Sequence, residues 1–411
     1  MFYFHFSSSL VRKDTHFFVL LHPNLERYNE MRSYLRYFVS CLMAVLLATN
    51  ATGANDKTDV RNRAVRVGVM LPLHNVDGDG RRMIEFYRGL LMAANDLKKE
   101  AISVDFHAWN VNIDADIRQT LLQNGATDCD IIFGPLYTKQ VAQLGEFAKA
   151  YDVKVVIPFS ISGDDVEKNP NIFQVYQSPE TFEESSINGF IDRFANAHPV
   201  FVDCNDKESK KGSFTQGLRK RLDEKGIAYN ITNLNSPYES FVKAFSNEKP
   251  NVVVLNTARS PELTQVYRKL DELTTNYPGL KISMFGYIEW LMYERNNLAK
   301  FSQYDTYVPT NFYLNIVAQS TQTLLQDYHR WFGEPMMEAL PRFAITGYDQ
   351  GCFFIRGLHN EGAKFVGGAS DKPAVQTPYR FERVNKKGGY RNTTFMLVHY
   401  NTNGSISIVN Y

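Results

Sequence analysis

The chain has 411 residues, 44% of them apolar and 22% charged. That is enough for two or three folded units at roughly 150 residues each, and too apolar for a chain that is mainly disordered. Its 45 lysines and arginines face 44 acids, a formal net charge of +1. No clustered positive charge is offered to a phosphate backbone, which argues against nucleic acid as a partner.

The N-terminal region carries its own signal. Residues 34–54 read YLRYFVSCLMAVLLATNATGA. Arg32 and Arg36 precede an apolar run of 11 residues, Phe38 to Ala48, and small residues close the stretch at Thr52-Gly53-Ala54. This is the order of a secretory signal, and the run is short of the about 20 residues that a membrane span needs. We expect export to the periplasm with cleavage near Ala54 and no stable membrane anchor thereafter. Met31 stands just ahead of the charged segment, so 1–30 reads as an over-extended start and 31–54 as the signal. Cys41 lies inside the apolar run rather than at its end, so no lipid anchor is expected. Cleavage would remove five basic and three acidic residues and leave a net charge of −1. Cys129, Cys204 and Cys352 remain without a CxxC spacing, which predicts neither a disulfide framework nor a zinc site.

From Ala64 strand and helix patterns alternate. AVRVGVMLPL (64–73) is a continuous apolar run, as in a strand covered on both faces. The next segment, RMIEFYRGLLMAANDLKKE, places Met83, Tyr87, Leu90, Leu91, Ala94 and Leu97 on one helical stripe. Strand SVDFHAWNV, helix DIRQTLLQNG, strand CDIIFGPL, helix TKQVAQLGEFAKAYD and strand KVVIPFS complete one α/β lobe. After the extended NIFQVYQ (171–177) and a helix from Pro179, the rhythm restarts with PVFVDC. Strands IAYNITN, NVVVLNT and KISMFGY follow, separated by helical stretches, the middle one reading YESFVKAFSNEK. Such alternation predicts parallel sheets with right-handed crossovers and helices on both faces. Beyond residue 300, TYVPTNFYLN is extended, and STQTLLQDYHRWFG and YDQGCFFIRGLHNEG read as helices. The tail from Pro378 alternates at period two, with turns at Lys387-Gly388-Gly389 and Asn403-Gly404, as antiparallel strands do.

Two patterns look like chemistry and are expected to be structural. Asn75-Val76-Asp77-Gly78-Asp79-Gly80 followed by Glu85 resembles a calcium loop, but the twelfth position is Phe86 and a strand precedes it. Pro158-Phe159-Ser160-Ile161-Ser162-Gly163 lacks the first glycine of a nucleophile elbow. The nine histidines form no HExxH. We expect no enzyme, no cofactor and no metal, and short lysine runs such as Lys207, Lys210 and Lys211 read as solvated.

Several stretches together carry a resemblance. VGVMLPL (67–73), GPLYTKQVAQLGEFAKAYDVKVVIPFS (134–160), NIFQVYQSPE (171–180) and the helix pair at 327–358 with Gly347-Tyr348-Asp349 occur in the order and spacing of one family. The chain resembles the type I periplasmic-binding proteins of the branched-chain amino-acid-binding, leucine-binding-like subgroup. The resemblance implies an α/β fold of two doubly wound parallel-sheet lobes joined by a hinge that the chain crosses three times. It divides the chain into 55–178 for the first part of lobe 1, 179–310 for lobe 2, 311–375 for a return to lobe 1, and 376–411 for a C-terminal β segment near the hinge and lobe 2. Ligands of this fold sit in the cleft at the C-terminal strand ends, which lobe closure buries.

That placement nominates Tyr137, Thr138, Ser160 and Ser162 from the first lobe, and Asp203, Asn256, Tyr287 and Glu289 from the second. Hydroxyls and helix N-termini would hold a carboxylate, and Glu289 or Asp203 would face an ammonium. The implied role is capture of a small, amino-acid-like solute for an inner-membrane ABC permease. Two departures weaken the amino-acid part. The family's aromatic loop early in lobe 2 is replaced by NDKESKKGSF (205–214), and Ile288 stands where the family's acid is found, with Glu289 one position later. The alternative is an interaction protein of the same fold that regulates cell-wall or envelope assembly, its cleft vestigial or occupied by a wall fragment.

Overall fold

The computed structural model describes residues 60–411 apart from Asn124, Ser160 and Ile161. The start methionines, the export segment, Cys41 and the candidate Ser160 therefore lie outside the described residues.

The strands are β1 Val65–Leu71, β2 Val104–Asn110, β3 Ile131–Phe133, β4 Lys154–Ile157, β5 Ile172–Gln174, β6 His198–Asp203 and β7 Asn230–Asn233. They continue with β8 Asn251–Leu255, β9 Ile282–Phe285, β10 Thr306–Thr310, β11 Phe381–Arg383, β12 Tyr390–Asn392, β13 Met396–Tyr400 and β14 Ile406–Asn410. Two seven-stranded sheets result, ordered β11-β12-β5-β4-β3-β1-β2 and β14-β13-β10-β9-β8-β6-β7. In the first, every pairing is parallel except β11 with β12. In the second, β13 and β14 are antiparallel additions to a parallel set. The continuous apolar runs are the central strands, and β3, β8 and β10 are buried along their whole length.

The helices are α1 Gly78–Leu97, α2 Ile117–Leu121, α3 Val141–Tyr151, α4 Asp165–Lys168, α5 Pro179–Phe194, α6 Gly212–Glu224, α7 Tyr238–Val242, α8 Ser260–Asn276, α9 Glu294–Gln303, α10 Gln319–Phe332 and α11 Phe343–Glu361. Helix α7 is shorter than the pattern YESFVKAFSNEK suggests, although Phe241, Ala244 and Phe245 are still buried. Helix α11 starts five residues before Tyr348, because Gly347 is a packing residue rather than a break. Helices α1 and α11 cross backbone to backbone there. A Cβ on Gly347 would lie 2.0 Å from the Phe86 carbonyl oxygen, and one on Gly89 would lie 1.9 Å from that of Ala344. Only glycine allows this approach.

Each lobe has its own core. Phe86, Leu90, Phe133, Phe173 and Phe354 fill one face of the first sheet, and Met70, Ile132, Leu144 and Val155 fill the other. The second lobe is centred on Phe190, Val253, Phe285, Trp290 and Tyr307. The tail divides between the sheets, with one hairpin added to each.

The chain passes between lobes after β5, after β10 and after β12. Gln177 Nε2 donates to the Thr394 carbonyl at 3.0 Å and so ties the first crossing to the third. The second is fixed by Tyr313 N–H to the Gln376 carbonyl at 2.9 Å. Beneath it, both oxygens of the Asp349 carboxylate accept backbone N–H groups of Val375, Gln376 and Thr377, each at 2.8 Å. Since β5, β12 and β10 leave their sheets at the hinge, all strands parallel to them point their C-terminal ends toward the space between the lobes.

Candidate functional site

The loops at those C-terminal ends form the two rims of the cleft. On the first, Asp77 ends the β1 loop and caps α1, with Oδ1 accepting Gly80 N–H at 2.8 Å. The calcium-like motif is thus a helix cap. Asp79, in the first turn of the helix, pairs with Arg82 and accepts the Tyr137 hydroxyl at 3.2 Å. Burial, and then the Asp79 charge, push the Tyr137 phenol up to about 12, so it stays a protonated donor at neutral pH. Thr138 is exposed at the start of a short 3-10 turn, Thr138–Gln140. A Cβ on Gly163 would lie 3.8 Å from the Thr138 methyl, which brings the loop of exposed Ser162 beside it. Tyr137, Thr138 and Ser162 therefore converge.

The second rim is knitted from within. Asp203 Oδ1 accepts Asn205 N–H at 2.9 Å and Asn256 Nδ2 at 2.8 Å. Asn256 Oδ1 in turn accepts Cys204 N–H at 2.8 Å. Asp203 and Asn256 thus join the loops after β6 and β8. Tyr287 is buried, its hydroxyl donating to the Leu255 carbonyl, and its ring meets Phe214 and Trp290 edge-on. The Tyr287 hydroxyl, the Asn256 amide and Asp203 Oδ1 are thus bonded within the lobe.

Glu289 is different. Its Oε1 accepts from Lys211 Nζ at 2.6 Å, and that ammonium lies 4.9 Å from the Tyr287 ring centre. Glu289 Oε2 is shielded from solvent and has no hydrogen-bond partner in the protein. Lys211 is held at the rim by Ser209, whose hydroxyl accepts Lys211 N–H at 3.1 Å and donates to the Asn256 carbonyl at 2.5 Å. Sequence reading placed Lys211 in a solvated run. Its partner is 78 residues away, so no local pattern marks it.

The rims offer hydroxyl donors on one side and a lysine–glutamate pair on the other, which suits polar recognition. The Cys204 thiol is buried, and desolvation, followed by the charge of Asp203, pushes it up to about 12, out of nucleophilic range. Among the described residues no group of three or more histidine, cysteine or acidic side chains is placed to hold a metal ion, and no helix is long and apolar enough to cross a membrane.

No protein-family model matches the sequence, and no curated protein is similar to it. Solved structures are. A protein described as a branched-chain amino acid ABC transporter from Rhodospirillum rubrum aligns over 84% of this chain and 100% of its own, at 14% identity and a TM-score of 0.55. A branched-chain amino acid ABC transporter periplasmic ligand-binding protein from Burkholderia xenovorans covers 84% and 94%, at 13% identity and a TM-score of 0.49. An ABC transporter substrate-binding protein from Desulfitobacterium hafniense in complex with Leu covers 84% and 100%, at 13% and 0.44. These are transport proteins rather than enzymes. Two parallel-sheet lobes, three hinge crossings and the likeness to the Rhodospirillum rubrum structure together show that this chain has the type I periplasmic-binding fold.

Proposed function

We propose that the protein is an exported, non-catalytic solute-binding protein that takes a small polar ligand between its lobes and passes it to an inner-membrane ABC permease. The observation that carries this reading is the pair of polar rims at the C-terminal strand ends, one on each side of the hinge. Tyr137, Thr138, Ser160 and Ser162 contact the ligand from the first lobe, and Glu289 with Lys211 from the second. Asp203, Asn256 and Tyr287 position them. Charge-assisted hydrogen bonds contribute about 1.5–3 kcal/mol each, so three or four account for the roughly −8 kcal/mol of micromolar binding.

One observation favours the second reading, an envelope protein that acts through protein contacts. The Glu289 carboxylate already holds an ammonium, that of Lys211, so an amino acid would have to displace it.

A thermal-shift screen against amino acids, short peptides, sugars and muropeptides tests the two. A ligand at a hundred times its dissociation constant adds about 2.7 kcal/mol, a shift of several degrees for a chain of this size. A hit that disappears in Thr138→Ala/Ser162→Ala supports solute binding at this cleft. A hit unaffected by that pair sinks the site, and silence across the panel transfers the weight to the envelope reading.

A further inference from the structure

On the first lobe the strand ends carry apolar side chains as well as polar ones. Leu73, Leu136, Phe159 and Tyr176 follow the C-terminal ends of β1, β3, β4 and β5, and Phe343 opens α11. All five pack on the core of that lobe and keep part of their surface exposed. Phe159 links the rings. Its centre is 6.0 Å from that of Tyr176 and 5.7 Å from that of Phe343, at interplanar angles of 36° and 56°. Tyr176 stands at the hinge beside Asn311 of the second crossing. Desolvation alone pushes its phenol up to about 12, with no hydrogen bond or charge beside it. It is therefore a protonated hydroxyl that its own lobe does not use.

The cations beside this floor and opposite it are matched. Arg82, whose guanidinium carbon lies 5.9 Å from the Phe343 ring centre, is paired with Asp79. On the second rim Lys211 is paired with Glu289 at 2.6 Å. A charged ligand would have to open one of these pairs or be enclosed without a counter-charge, and an unpaired buried charge is costly. The other polar groups on the first rim are neutral hydroxyls, those of Tyr137, Thr138 and Ser162.

We propose that the ligand of this cleft is an uncharged carbohydrate, with the C–H face of its ring on Phe159 and Phe343 and its hydroxyls bonded by Tyr176 and the first rim. The inference rests on the cleft taking a solute and narrows which one. A sugar carries C–H bonds on one face and hydroxyls around its edge. The negative face of an aromatic ring attracts C–H dipoles, and neutral hydroxyls exchange hydrogen bonds with neutral hydroxyls. Both ion pairs stay closed while it binds. An amino acid brings an ammonium and a carboxylate together, and each needs a counter-charge that these pairs already use.

The test is isothermal titration calorimetry of the full chain with two panels. One holds glucose, N-acetylglucosamine, cellobiose and chitobiose, and the other leucine, glutamate and lysine. At least one sugar is expected to bind, and the amino acids to bind more weakly or not at all. For that sugar the affinity should fall about tenfold or more in Phe343→Ala, from loss of the ring face. Tyr176→Phe, which keeps the ring and removes the hydroxyl, should cost about threefold to tenfold. An amino acid that binds as tightly as any sugar overturns the inference and leaves the solute-binding reading standing. Silence of both panels overturns the inference and counts against that reading as well. Sugar binding that Phe343→Ala and Tyr176→Phe both leave unchanged puts the sugar elsewhere and refutes the assignment.

Discussion

Lys211 Nζ sits 2.6 Å from Glu289 Oε1 and 4.9 Å from the Tyr287 ring centre. The second lobe thus presents an ammonium of its own to its own acid, against an aromatic face, at the rim where a solute would be met. Both side chains keep part of their exposure, 26% and 35%, so water screens the pair and its coupling to stability is about 1 kcal/mol or less.

Replacing Lys211 by Met should therefore change the urea midpoint little while leaving Glu289 open to an external cation. Ligands with an amino group should stabilise Lys211→Met more than the parent protein in the same thermal-shift panel. A double-mutant cycle with Glu289→Gln that returned 3 kcal/mol or more would show that the pair is far better shielded than its exposure implies.

The α1–α11 crossing makes a sharper claim on stability. Gly347→Val places atoms where the Phe86 carbonyl already stands, and the helices must separate. Overpacking costs about 1–3 kcal/mol where side chains can shift, and here the obstacle is backbone, so a loss at or above that range is expected in chemical denaturation. Gly212→Ala is the control. Its Cβ meets nothing within 4 Å at the start of α6, and it should be neutral or stabilising by up to about 1 kcal/mol. Equal midpoints for the two variants would refute the crossing.

Asp349 gives a pH prediction. Burial pushes its carboxyl up to about 6, against the opposing pull of three backbone N–H groups. The native state then holds a proton that the unfolded chain releases near pH 4, so stability from this group is full below pH 4 and is lost as pH rises through 6. Two pK units correspond to about 3 kcal/mol. The stability of Asp349→Asn should lack this decline between pH 4 and 6, and it should be lower throughout because an amide cannot accept all three bonds. Parallel pH profiles for the two proteins would discard the assignment.

Glu100 titrates in the opposite sense. Hydrogen bonds from Arg356 and then Lys372 hold its carboxyl down at about 2, so its contribution is present above pH 4.5 and is lost as pH falls toward 2. Glu100→Gln should flatten that acid limb. Denaturation midpoints measured from pH 5 down to pH 2 check this, and an acid limb as steep as that of the parent protein would discard it.

Much of this architecture is legible in the chain. The apolar runs at 67–71 and 252–255 have no polar face to offer water, so they are central strands. What stays hidden depends on contacts between distant residues. The helix pattern is read from Tyr348 and misses the turn that begins at Phe343, because what Gly347 packs against, the Phe86 carbonyl, is on another helix. Lys211 reads as solvated because the acid that holds it is on the next loop but one. Tyr287, Asp203 and Asn256 stand at the right strand ends for a ligand, but whether a side chain turns outward or braces its own loop depends on partners that spacing does not reveal. The tail alternates plainly, yet alternation does not say which sheet each hairpin joins.

That division of the tail has a cost in folding order. The first sheet runs from residue 65 to 174 and is completed only by 381–392, and the second gains its last two strands only at 396–410. Neither lobe has its full sheet until nearly the whole chain is present, so the two lobes mature together rather than in sequence. Such long-range closure slows folding, and a chain cut anywhere before 381 leaves unpaired edges on both sheets at once.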